Sequence, residues 1–481
     1  MMKPIHTLIF LGTVMVLCLG LCLVFPEDGI AVTDDVTLKF VTKDELFGDG
    51  DSLLNVEPEY ASAEELLEVY TIEVDSIAIK DSLKRIEAER RQALLKIQYK
   101  EDDKSSLHDL FEALEKVRKS GKLRVMHYGD SQIEGDRISG YIRNELQKEF
   151  GGTGPGLMQA YEVIPTMAIK QSDSENWSRK AVYGRKDTSI HHKDYGLLAH
   201  FSRYEADPEA PDSLADAWIE FSPSNITYSR AKRFNKAVMY YGNNEQEFEL
   251  NTFFGDSLIS SEMIAPMSSK GMKKVSFSEA PESLRFEFSG ENGPDIYGVS
   301  FEGNRGVVLD NIPLRGSSGT IFKKIEKDQL KAQYADMDIE LFILQFGGNT
   351  VPYIENVEGA ERYGRWFKSQ ISYLKSIVPE ASIIVIGPSD MAHKVKDKFV
   401  SRPFLEDVRD ALKNAAFESG CGFWDIYEVM GGPNSMKTWV EADPALAGSD
   451  YTHFTPKGAK KIAELFMKAF WEEYEAWKGE G

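Results

Sequence analysis

Apolar and polar positions along the chain fall into three textures, and each predicts a different kind of structure. The first is continuous: residues 8–25 are uncharged over 18 positions, long enough to cross a bilayer with little tilt. Residues 26–60 are acidic and turn-rich. From Ala61 apolar positions recur at helical spacing (Leu66, Leu67, Val69 and Tyr70, and later Leu94, Leu95 and Ile97), with Ser62 and Glu65 as a capping box. Charges such as Glu87, Glu89, Arg90 and Arg91 make this a solvated helical stalk in preference to a partner-binding coiled coil. A second helix is predicted from about Ser106, with Leu107, Leu110, Phe111, Leu114 and Val117 on one face and Gly121 as its stop.

The second texture alternates apolar runs with amphipathic segments. Leu123 to Met126 is an apolar run that stops at Gly129-Asp130-Ser131, after which Ile138, Tyr141, Ile142 and Leu146 recur at helical spacing. Further buried strands are predicted at 306–311, 338–346, 382–386 and 423–426. Helices with Tyr363, Phe367, Ile371 and Leu374, and with Leu405, Val408 and Leu412, lie between them, and a closing helix starts at Pro456. Strands alternating with helices imply a parallel sheet covered on both faces, which binds ligands beyond the carboxyl ends of its strands.

The third texture interrupts the second. From about Tyr161 to Glu302 short alternating segments such as Ala217 to Phe221 and Leu284 to Phe288 are separated by turns, the pattern of a β-sandwich. Its aromatics, among them Trp218, Tyr228, Tyr240 and Tyr241, could stack on sugar, but at period two they more often pack within a core. The expected organisation is therefore a membrane anchor or signal segment (1–25), a tether and helical stalk (26–118), an α/β domain in two pieces (119–160 and 304–481) and an inserted β-sandwich (161–303).

Charge and cysteines narrow the class. A net charge of −21 argues against binding a phosphate backbone, so no nucleic-acid partner is expected. Of three cysteines, Cys18 and Cys22 lie in the apolar N-terminal run, which leaves Cys421 with no disulfide or zinc partner. Lys3 on the short side of that run places the remainder outside the cytoplasmic membrane. Gly29-Ile30-Ala31 is a weak cleavage site and Leu21 fits a lipoprotein signal poorly, so an uncleaved anchor is preferred to a cleaved signal.

Candidate chemistry gathers at the predicted strand ends. Ser131 falls where a strand meets a helix N-terminus, Gly316 and Asn349 follow two other strands, and Asp450 and His453 stand three apart before the closing helix. A serine hydroxyl with a histidine base, an aspartate to orient that base, and donors from the Ser131 and Gly316 N–H groups and the Asn349 amide can carry acyl transfer. Decoys exist. Gly-Asp-Ser recurs at Ser52 and Ser257, both read as loop residues, and Asp390 and His393 repeat the Asp/His spacing. His127 reads as packing or a supporting group. No phosphate-binding loop, dinucleotide fingerprint or metal-ligand pair competes, and neither cofactor nor metal is expected.

Gly129-Asp130-Ser131, Gly316, Gly347-Gly348-Asn349 and Asp450-Tyr451-Thr452-His453 match in order the four blocks of the SGNH hydrolase superfamily, the GDSL-type esterases and lipases, which the chain resembles over roughly 119–160 and 304–478. The resemblance implies a flavodoxin-like three-layer α/β fold, a catalytic triad of Ser131, His453 and Asp450, and an oxyanion hole of Ser131, Gly316 and Asn349. It departs in one place: Gln132 stands where the plainest members have leucine. The insertion is similar to that of peptidoglycan O-acetylesterases, where a carbohydrate-binding-like β-sandwich interrupts the catalytic domain. The expected function is then a carboxylic ester hydrolase that removes O-acetyl or another short acyl group from an extracytoplasmic glycan. The alternatives are an O-acyltransferase using the same triad, supplied by a membrane acyl-transfer partner, and an inactive glycan-binding protein.

Overall fold

The computed structural model describes residues 92–185, 187–206 and 214–480, together with the backbone of two short strands, Ile30–Thr33 and Val36–Leu38. Those two strands pair antiparallel within the expected tether, in a separate unit of the chain. The expected anchor (1–25) and the stalk up to residue 91 lie outside the described residues. Among the described residues, no helix is long and apolar enough to cross a membrane.

A six-stranded sheet organises the α/β domain. Its order is Gly306–Pro313, Lys122–Gly129, Ile339–Gln345, Ser382–Ile386, Gly422–Trp424 and Ile97–Gln98. The first five run parallel and the last is antiparallel. Numbered along the chain, the parallel strands stand in the order 2-1-3-4-5, that of flavodoxin-like folds, with the switch point beside Lys122–Gly129. These strands are apolar runs because both their faces are covered. On Lys122–Gly129, Leu123 and Val125 face one layer while Met126 and Tyr128 face the other. The first layer is the helices His108–Lys119, Ser139–Phe150 and Pro456–Glu480, and the second is Lys327–Tyr334, Val357–Lys375 and Leu405–Glu418.

This packing corrects the boundary expected at residue 119. Leu107, Leu110, Phe111, Leu114 and Val117 form the predicted apolar face, but they cover the sheet instead of belonging to a stalk. Ile97, expected on the stalk helix, instead belongs to the edge strand Ile97–Gln98, and Trp424 donates its indole N–H to Leu95 O at 3.1 Å. An apolar helix face needs a partner surface, and the sheet supplies it.

Two antiparallel sheets form the insert. One runs Met267–Ser276, Lys236–Asn244, Asp295–Glu302, His200–Tyr204, Trp177–Ala181, and the other Ser257–Ile264, Phe248–Phe254, Leu284–Gly290, Ala215–Pro223, Ile169–Asp173. Gly156–Met158 already pairs with Asp295–Glu302, so the chain enters the sandwich before residue 161. The aromatics form no shared platform. Tyr240 packs toward the α/β domain, its neighbour Tyr241 lies inside the sandwich, Trp218 is partly exposed, and Tyr228 meets Tyr141 edge to face. Consecutive strand residues point to opposite faces, which separates Tyr240 from Tyr241.

The two domains share a seam. Arg124, buried in the central sheet, holds both carboxylate oxygens of Asp310 at 2.8 and 2.7 Å and reaches Glu302 of the sandwich at 3.1 Å. Asp310 also accepts from the Leu157 N–H at 2.8 Å. The insert is thereby fixed against the sheet that carries the candidate site.

Candidate active site

The nucleophile turn begins where Lys122–Gly129 leaves the sheet. Asp130 N–H donates to Gln345 O of the adjacent strand at 3.1 Å, and Leu314 N–H donates to Gly129 O at 2.7 Å, which ties three strand ends together. A Cβ at Gly129 would lie 3.0 Å from Ile133 Cδ1 and 3.1 Å from Gln345 O, a crowding that glycine avoids. The buried Asp130 caps the turn by accepting the Gln132 N–H at 3.0 Å, and burial raises its carboxyl pKa to about 6. Ser131 opens a 3₁₀ segment, Ser131–Asp136, broken by Glu134 in extended conformation and Gly135 at φ +68°. The α-helix starts only at Ser139. The expectation that Ser131 sits at that helix's N-terminus is therefore corrected: the glycine reversal separates the two.

Ser131, His453 and Asp450 come together. Asp450 accepts from three donors: His453 Nδ1 at 2.7 Å, the His453 N–H at 3.1 Å and the Thr452 N–H at 3.0 Å. Partial burial opposes ionisation of Asp450, but these hydrogen bonds outweigh it and hold its pKa below the usual carboxylate value. With Nδ1–H committed to that carboxylate, Nε2 is free to accept, and Ser131 Oγ lies 2.8 Å from it. The seryl hydroxyl thus points its proton at a base whose far side is already oriented.

The two other strand-end residues lie in neighbouring loops. Gly316 sits at φ +78° with open space where a Cβ would project. Asn349 Nδ2 donates one hydrogen to Ser317 O at 3.2 Å, which holds the side chain against the Gly316 loop and leaves its second hydrogen free. Gly348 lies beside the nucleophile turn, its missing Cβ 3.4 Å from Asp130 Oδ2.

The decoys fall elsewhere. Ser52 is outside the described residues, and Ser257 is exposed at the hairpin between Phe248–Phe254 and Ser257–Ile264. Asp390 is buried and accepts from Ser401 Oγ at 2.7 Å and the Met436 N–H at 2.7 Å, so it does not orient His393. His127 is fully buried between Gln345 Oε1 (3.2 Å) and Ser139 Oγ (2.9 Å), and burial lowers its pKa to about 3, which keeps it neutral. Two side chains of the site had no role in the sequence reading, Gln132 and Arg137. Gln132 was visible there only as a departure from leucine.

No protein-family model matches the chain, and no curated protein is similar to it. Among solved structures, a peptidoglycan O-acetylesterase superposes with a TM-score of 0.58 at 19% identity, over 76% of this chain and 96% of that one. At lower TM-scores stand a family two carbohydrate esterase from Clostridium thermocellum (0.24, 9% identity, 63% and 99% covered) and the salicylyl-acyltransferase SsfX3 from a tetracycline biosynthetic pathway (0.25, 10% identity, 63% and 97% covered). At those scores they add nothing to the assignment. The parallel sheet and its strand order are flavodoxin-like, and the first superposition shows that the chain shares the fold of that O-acetylesterase.

Proposed function

We propose that the protein is a carboxylic ester hydrolase that removes O-acetyl or another short acyl group from a glycan through an acyl-Ser131 intermediate. One observation carries this reading: the unbroken relay from Ser131 Oγ through the His453 imidazole to the Asp450 carboxylate, at 2.8 and 2.7 Å. Ser131 Oγ attacks the ester carbonyl as Nε2 takes its proton, and ionised Asp450 stabilises the imidazolium that results. The tetrahedral oxyanion is met by the Ser131 and Gly316 N–H groups and the free hydrogen of Asn349 Nδ2. The imidazolium then returns its proton to the leaving sugar oxygen. Water, activated by the same Nε2, attacks the acyl-enzyme and releases the acid and the free Ser131 hydroxyl.

The substrate class is inferred from the O-acetylesterase of shared fold and from the sandwich fixed against the catalytic sheet by Arg124. Export and tethering by residues 1–25 belong to the same proposal and rest on the uncharged run alone. The test is acetate release from an activated acetyl ester and from O-acetylated glycan by the full chain, with Ser131→Ala in parallel and a free sugar acceptor in a second series. Hydrolysis that vanishes with Ser131→Ala and ignores the acceptor is the expected result. Acetylated sugar as the main product would make the protein a transferase, and turnover surviving Ser131→Ala would remove the serine mechanism.

A further inference from the structure

The site has an asymmetry that the triad alone leaves unexplained. Ser131 is buried on a turn pinned to two strands, whereas His453 stands on an irregular segment between Ala442 and the helix Pro456–Glu480, with its side chain 38% exposed. A base placed this way needs an external reference, because an error of about 1 Å between nucleophile and base costs about a hundredfold in rate. The residue after the nucleophile provides one. The Gln132 side chain is buried, its Nε2 donates to Thr452 O at 2.7 Å, and its Oε1 accepts the Phe454 N–H at 3.3 Å. These are the main-chain groups on either side of His453. Ser389 Oγ accepts from the same Nε2 at 3.1 Å and supports the carboxamide from its far side.

A second clasp runs parallel to the first. Arg137, six residues after the nucleophile, donates to Phe454 O at 2.8 Å, to Ser131 O at 3.1 Å and to Glu134 O at 2.8 Å. One guanidinium thus bridges the nucleophile turn to the histidine segment. A leucine at 132 could fill the same volume but could satisfy neither main-chain group, and the buried Phe454 N–H would be left without a partner.

The geometry points to Gln132 as a positioning residue of this site: its carboxamide fixes the main chain flanking His453, with Arg137 as the outer clasp, and so sets the Ser131–His453 distance. This rests on the serine-esterase reading above. It gives the glutamine of the Gly-Asp-Ser-Gln motif a role in registering the base to the nucleophile.

Gln132→Met keeps length and bulk and removes both hydrogen-bonding groups. It is expected to lower kcat about ten- to hundredfold while KM stays within about threefold. The deciding comparison is the same substitution in a His453→Ala background, where the residual rate should change by less than about twofold, because a residue acting through His453 has nothing left to position. Equal losses in both backgrounds would assign Gln132 a general packing role and overturn the proposal, as would an unchanged rate in the single variant. If Gln132→Met fails to fold, Ser389→Ala loosens the carboxamide from its far side. Its expected loss of about two- to fivefold should likewise vanish without His453. Hydrogen exchange across 449–455 gives a readout independent of turnover. It should accelerate in Gln132→Met, and exchange as slow as in the unsubstituted protein would overturn the clasp whether or not the protein proves to be an esterase.

Discussion

The nucleophile turn and the histidine segment meet at the Ser131–His453 hydrogen bond and at the Gln132 and Arg137 contacts, yet they are built in opposite ways. The turn grows out of a strand buried from Leu123 to Gly129, with Asp130 and Ser131 buried and the backbone shared among three strand ends. The histidine segment is a surface connection whose own order comes from Asp450 folding back on Thr452 and His453, from Tyr451 stacked on Phe399 with centroids 3.6 Å apart, and from the Ala392 N–H donated to Tyr451 O. The difference teaches that burial holds the nucleophile, while short polar contacts hold the base. Damage to each side should then look different: loss of chemistry at the relay, loss of stability at the buried sheet.

The largest expected effects break the relay itself. Ser131→Ala and His453→Ala should each lower kcat by about 10⁵- to 10⁶-fold with unfolding midpoints nearly unchanged. Steady-state hydrolysis beside thermal melts checks both, and a rate indifferent to His453→Ala would remove it as the base. Asp450→Asn, which leaves the shape but permits the wrong tautomer, should cost about 10⁴-fold. Asp450 also has a pH consequence. Its folded pKa is depressed, so its contribution to stability is full above the unfolded carboxylate value of about 4 and is lost as pH falls through the folded value. Asp450→Asn should flatten that acid limb in urea titrations. Next comes Asn349→Ala, expected to reduce kcat about 10²- to 10³-fold at nearly constant KM, the signature of an oxyanion donor. A loss confined to KM would instead make Asn349 a ground-state contact.

On the buried side the effects move to stability. Arg124→Met leaves Asp310 enclosed without its cation, and Glu302 with Lys122 alone, and should destabilise by about 3–5 kcal/mol, read as a lower midpoint in urea. A change below about 1 kcal/mol would show that the seam does not hold the sandwich to the sheet. The smallest effect belongs to Asp130, whose folded pKa of about 6 lies above the unfolded value. The folded state keeps this proton longer, so stability falls as pH rises from about 4 to 6, by about 2–3 kcal/mol in all. Asp130→Asn should remove that slope, and a slope that persists would show another group to be responsible.

Much of this was legible because it is periodic or local. Continuous apolar runs marked strands covered on both faces, alternation marked the sandwich, and the four short motifs marked the strand ends. What stayed hidden needed a third dimension. The apolar face of His108–Lys119 was plain, but only the packed structure shows the sheet as its partner. Tyr240 and Tyr241 looked like one aromatic group until strand geometry sent them to separate cores. Ser131 read as the start of a helix, because Gly135 does not reveal from sequence that it will reverse the chain.

By itself the sequence determined which side chains could form a relay and the order in which strands would present them, because those properties follow from residue type and spacing. Only the tertiary structure decided that Ser131 meets His453 and not His393, and that Gln132 reaches across to Thr452 and Phe454. Contacts over some 320 positions depend on how the layers close around the sheet. No local period records that closure.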